Sequence, residues 1–148
     1  MGDKLDSSKI PGVKYTTIKP ISNPKGNIYH GLKKSDTEFR GFGEAYFTSI
    51  KKNEVKGWKK HKVMHMNLFV PSGEVSFFLH DDSQKLTESY NLSLMHYGKL
   101  TIPPGIWVAF RGESDNNIIL NIASIEHDPS ESEDADLSTF NLETNLIV

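Results

Sequence analysis

The chain is 148 residues long, carries 17 Lys and Arg against 19 Asp and Glu for a net charge of -2, and has no cysteine. That length suits one domain with its own core, and so balanced a charge excludes a protein whose main task is gripping a nucleic-acid backbone. The lack of cysteine excludes a disulfide framework, a thiol nucleophile and a thiolate metal site, and it fits a reducing compartment, so the cytoplasm is the expected location.

Residues 1 to about 12 read as an extended arm with no apolar run fit for a secretory signal, and nowhere does the chain hold the roughly 18 consecutive apolar residues of a membrane span. Apolar residues then recur at every second position in Met66, Leu68 and Val70 and again in Val75, Phe77 and Leu79. Pro71-Ser72-Gly73 lies between them, so the pattern predicts a β-hairpin. Tyr90, Leu92 and Leu94 alternate in the same way. The stretch from Leu100 to Trp107 contains Pro103-Pro104-Gly105, which predicts a strand, a sharp corner and another strand, because proline removes ladder donors. Ile118, Leu120 and Ile122 follow a turn cluster at 114–117. From about Asp128 to Val148 the chain is acidic and Ser-rich before a last apolar patch. Short alternating runs without an intervening amphipathic helix predict an all-β sandwich or small barrel in a single domain spanning 1–148. Exposed sheet edges make a homodimer the expected assembly.

Charge is unevenly spread. Lys51, Lys52, Lys56, Lys59, Lys60 and Lys62 crowd one stretch, and Asp128, Glu131, Glu133, Asp134 and Asp136 crowd another. Either run reads as a solvated edge or tail, or the lysines meet a phosphate-bearing ligand. His61 and His65 would sit roughly 13 Å apart on one strand, too far to share a zinc, so no metal site is expected. Basic residues beside Trp58, Trp107 and Tyr97 would suit a nucleotide sugar, although aromatic residues in strands are more often core. There is no Gly-rich phosphate loop, nucleophile elbow or HExxH motif, which leaves general acid–base chemistry as the enzymatic option.

The segments GFGEAYFTSI, VKGWKKHKVMHMNLFVPSGEVSFFLHDD, LTIPPGIWVAFRG and IILNIASIEHDP, in that order, resemble the short dTDP-4-dehydrorhamnose 3,5-epimerase-like cupins from about Gly26 to about Asp136. The resemblance implies a cupin, or double-stranded β-helix, in which two antiparallel sheets form a jelly-roll-like sandwich around a pocket. It also implies a dimer, no metal or organic cofactor, and inversion of carbons flanking the 4-keto group of a nucleotide-linked 6-deoxysugar, here for surface-polysaccharide synthesis.

In the resembled family the base is a histidine following the Gly-Trp pair, and the matching position here is Lys59. A second family histidine, after the PPGxW tryptophan, is matched by Val108, and the arginine of an early turn by Lys25. His61 matches the second histidine of the GWHxH pattern. His61 and Lys59 are therefore the catalytic candidates, His61 being the natural base near neutral pH and Lys59 needing a lowered pKa to act as one. Lys25, Lys56, His65, Asn67, Trp107, Arg111 and His127 are the substrate-binding candidates, with His127 also a candidate acid. An isomerase acting on a nucleotide-diphospho-4-keto-6-deoxysugar is the leading expectation, as a two-centre epimerase, a one-centre epimerase or a ketoisomerase. The alternatives are a lapsed relative that only binds the sugar and a structural partner of a pathway enzyme. No nucleic-acid or membrane partner is expected.

Overall fold

The computed structural model describes residues 8–148, and most of the predicted arm at 1–12 lies outside them. Among the described residues eleven strands run in chain order: β1 (Lys14–Thr17), β2 (Glu44–Lys51), β3 (Val55–His61), β4 (Met66–Ser72), β5 (Glu74–Asp81), β6 (Leu86–Ser93), β7 (Gly98–Ile102), β8 (Trp107–Gly112), β9 (Asn116–Ala123), β10 (Ser132–Asp134) and β11 (Asn145–Leu146). They form a five-stranded sheet, β1-β7-β4-β9-β2, facing a six-stranded sheet, β10-β3-β8-β5-β6-β11. Pairing is antiparallel except between β11 and β6. The cupin-type sandwich expected from the sequence is the fold observed. No helix among the described residues is long and apolar enough to cross a membrane.

The predicted 66–79 hairpin is not one. β4 belongs to the first sheet and β5 to the second, so the turn at Gly73 carries the chain from one layer to the other. Gly73 has φ +80°, and a Cβ there would lie 2.3 Å from the Asn116 carbonyl oxygen, so the corner needs glycine. The hairpin is instead β5–β6, paired from Glu74↔Ser93 to Asp81↔Leu86. The Pro103-Pro104-Gly105 corner turns as predicted, linking β7 of the first sheet to β8 of the second.

Side-chain alternation sorts each strand between two faces. Leu68, Val75, Phe77, Leu79, Leu100 and Ile119 fill the space between the sheets, joined by Ile10 and Val13 from the start of the described chain. Residues 8–10 are therefore anchored: the Lys9 N–H donates to Glu88 at 2.7 Å and Ile10 is buried. A second cluster, Trp58, Phe78, Trp107 and Ala109, lies on the outer face of the six-stranded sheet beneath Ala135, Phe140 and Leu142.

The acidic carboxyl-terminal segment is thus a clasp and not a solvated tail. β10 pairs with β3 in the register Ser132↔His61, Glu133↔Lys60 and Asp134↔Lys59. Beyond it, the Trp58 indole N–H donates to the Leu137 carbonyl at 3.2 Å, and Phe140 stacks on His80 with ring centroids 3.8 Å apart. Lys59 and Lys60 of the basic run thus lie against Asp134 and Glu133 of the acidic run on adjacent strands.

Candidate active site

Strand β3 builds one wall of the site, and a bulge sets its phase. The register with β8 shifts between Lys56 and Lys59. Gly57 makes the shift possible: its φ is +136°, and a Cβ there would meet Ala109 Cβ at 2.6 Å. The result sends Trp58 outward to the second cluster while Lys59 and His61 face the space between the sheets.

That space holds an open cavity of about 440 Å³. Met66, Leu68, Phe77, Val108, Phe110 and Ile119 make its apolar walls. The five-stranded sheet adds Glu44, Tyr46, Thr48 and Asn121, the six-stranded sheet adds Lys56, Lys59 and His61, and His127 closes one side. A largely apolar hollow with a few converging polar groups is the usual form of a small-molecule site.

His61 is the best-anchored polar group in it. Its Nδ1 lies 2.8 Å from Glu131 Oε1, and the other Glu131 oxygen accepts the N–H groups of Val63 and Met64, each at 2.9 Å. Glu131 ends a single 3-10 turn over Pro129–Glu131, capped by the Asp128 side chain. With Nδ1 committed to the carboxylate, Nε2 is the nitrogen free to serve the cavity. Fixing one ring nitrogen in this way sets the tautomer and steadies the ring.

Burial pushes the Glu131 carboxyl up, but the hydrogen bonds from His61, Met64 and Val63 outweigh it and hold the pKa at about 2, against 4.5 normally. A carboxylate with a depressed folded pKa stabilises the fold above the unfolded value and loses that contribution as pH falls through the folded one. Stability should therefore fall steeply between pH 4.5 and pH 2. In Glu131→Gln the urea midpoint should start lower and change less over that window; an equally steep fall in the variant would contradict the assignment.

The other predicted residues divide between this cavity and other places. Lys56, Lys59 and His127 line it with His61. Lys59 Nζ is ion-paired with Asp134 at 3.1 Å, and Lys56 Nζ donates to the Ser49 carbonyl at 2.9 Å. Asn67 points to the opposite face of β4, where it binds the Glu38 carbonyl and the Thr101 hydroxyl. His65 borders a separate cleft with Arg40 and Thr101, and burial and the neighbouring guanidinium push its pKa down. Trp107 lies in the outer cluster, its indole N–H on Asp82 at 2.9 Å and its ring under Lys60. Arg111 sits over Phe78 on that same outer face, bound to Glu113. Lys25 stands in an exposed turn closed by Asn23. Lys25, His65, Asn67, Trp107 and Arg111 are thus not on the cavity wall.

Tyr97 likewise faces away from the cavity, with its hydroxyl on the His30 carbonyl. Alternation alone could not assign these residues, because both faces of both sheets are partly covered.

Two features of the site are not evident in the sequence. Tyr46 lines the cavity from the sheet opposite His61, and its hydroxyl accepts from Asn121 Nδ2 at 3.0 Å. In the sequence Glu131 is one charge in an acidic run. A Tyr and an Asn at inward positions of two neighbouring strands were the available signal, since buried polar side chains on an otherwise apolar strand face ask for a reason. Among the described residues no group of three or more His, Cys, Asp or Glu side chains could hold a metal ion.

The family model described as FdtA: WxcM-like, C-terminal matches residues 11–142. No curated protein sequence matches the chain. Among solved structures, a dTDP sugar isomerase from Desulfovibrio desulfuricans is 28% identical with a TM-score of 0.82, covering 87% of each chain. QdtA, a sugar 3,4-ketoisomerase from Thermoanaerobacterium thermosaccharolyticum solved with TDP, is 22% identical with a TM-score of 0.73, over 84% of this chain and 88% of that one. The epimerase RmlC from Legionella pneumophila, in complex with dTDP-4-keto-L-rhamnose, is 16% identical with a TM-score of 0.80, over 94% of this chain and 85% of that one.

Proposed function

The chain belongs to the WxcM-like, C-terminal family, and from that premise we propose that it is an isomerase of a nucleotide-linked 4-keto-6-deoxysugar, with His61 as the base that removes the proton beside the ketone. The observation that carries the reading is the His61–Glu131 pair on the wall of an open cavity between the sheets. In the reaction the C–H bond breaks, its electron pair moves onto the carbonyl oxygen, and the proton goes to His61 Nε2. The imidazolium so formed is stabilised by the Glu131 carboxylate 2.8 Å from Nδ1. The apolar walls suit the methyl group of a 6-deoxysugar, and His127 contacts the polar parts of the substrate. Tyr46, steadied by Asn121 on the facing sheet, returns a proton to the enolate.

An open cavity speaks against a structural subunit with a filled pocket, and a carboxylate-held histidine speaks against a lapsed binding protein. Transfer of the neighbouring hydroxyl's proton to the former ketone oxygen, with return of a proton to the former ketone carbon, shifts the carbonyl, whereas return to the opposite face of the original carbon inverts it. A homodimer belongs to the proposal, since β2 ends the five-stranded sheet and Phe47 on it is 69% exposed. Incubation with dTDP-4-keto-6-deoxyglucose in deuterated water, followed by NMR, should place deuterium on a carbon flanking the ketone and reveal a moved carbonyl or an inverted centre. No deuterium with several dTDP-4-keto-6-deoxysugars would refute the isomerase.

A further inference from the structure

Proton removal by His61 leaves a negative charge on the former carbonyl oxygen, and an enolate forms readily only where that charge meets a cation or strong donor. The six apolar side chains of the cavity wall offer neither. On the six-stranded sheet, Val108 is the cross-strand partner of Lys59 and carries no polar atom. Lys56 has its ammonium on the Ser49 carbonyl, in a neighbouring cleft. His127 gives its backbone N–H to Glu44, whose carboxylate would repel an oxyanion.

Lys59 differs from these. It shares the inward face of β3 with His61 two positions away, a separation of roughly 7 Å along a strand. A substrate lying along that wall would meet both side chains at once. The ammonium is ion-paired with Asp134, whose side chain is 78% exposed, and that of Lys59 is 46% exposed. So exposed a pair is weak and exchanges its partner readily. The ammonium is held at the cavity by a carboxylate it can leave for a substrate oxygen. A lysine in an ion pair also offers a charge and not a lone pair, so it suits the electrophile's part better than the base's.

We propose that Lys59 is the catalytic cation of this site: it leaves Asp134 to bind the ketone oxygen and takes up the charge that forms there, while His61 removes the proton. This rests on the isomerase reading above and assigns a division of labour within it. It also gives the doubled carboxylates of the clasp distinct tasks, Glu131 steadying the base and Asp134 parking the electrophile.

The test compares deuterium incorporation into dTDP-4-keto-6-deoxyglucose by the unmodified protein, Lys59→Gln and Lys59→Arg, with kcat and KM measured separately. Lys59→Gln should lose about 10²–10³-fold in kcat. Lys59→Arg should stay within about tenfold of the unmodified protein, because it keeps the positive charge but cannot give up a proton. If Lys59 were instead the base, the arginine variant would be as inactive as the glutamine one. If it only gripped the diphosphate, KM would rise in Lys59→Gln with kcat unchanged. Either result, or near-normal exchange by Lys59→Gln, overturns this assignment and leaves the isomerase standing. Absence of exchange by the unmodified protein overturns both.

Discussion

Replacing His61 with glutamine should lower deuterium incorporation beside the ketone by about 10²–10⁴-fold, the usual contribution of a positioned base. The loss should appear in kcat, because a proton transfer is felt in the transition state and not in the ground-state complex. Binding of the nucleotide sugar, followed by calorimetry, should be nearly unchanged. Glutamine retains an amide that can donate to Glu131, so the clasp keeps its anchor on β3 and the fold should survive. A variant with exchange close to normal would remove His61 from the base's role and with it the reason for reading the cavity as catalytic.

The second large effect is expected at Glu131. In Glu131→Gln the side chain can still accept from the Val63 and Met64 N–H groups, but it no longer stabilises the imidazolium. A base whose orientation and charge are both less well supported should cost roughly 10²-fold in exchange. Glu131→Ala goes further, leaving the His61 Nδ1 and two backbone donors without their partner. Unsatisfied buried groups cost about 1–3 kcal/mol each, so a loss of roughly 3 kcal/mol or more in urea unfolding is expected. If Gln and Ala at this position were equally stable and equally active, the carboxylate would have no part in holding the site together.

The alternating strands were legible in the sequence, because a half-buried strand must alternate. The layer to which each strand belongs was not. Period-two alternation in 66–70 and 75–79 is the same whether two strands pair or face each other, and only Gly73, crowded by Asn116 and Asn117, marks the crossing. The site was half legible for a related reason. His61 and Lys59 stood out by resemblance and do face the cavity, whereas Asn67, Trp107 and Arg111 fall on the outer faces. Inward and outward are exchanged by a one-residue bulge, and the bulge at Gly57 cannot be placed from composition. Glu131 was hidden because its partner lies 70 positions away. An acidic run looks solvated until a basic strand is seen beside it.

Catalysis at His61 requires a nucleotide sugar to enter the hollow between the sheets. Titrating dTDP into isotopically labelled protein and following backbone amide shifts tests this most directly. Shifts at Tyr46, Lys59, His61, Phe110 and Ile119, which come from both sheets and meet only across the cavity, are the predicted result. Shifts confined to the outer cluster of Trp58, Phe78 and Trp107, or to the cleft beside His65, would contradict it.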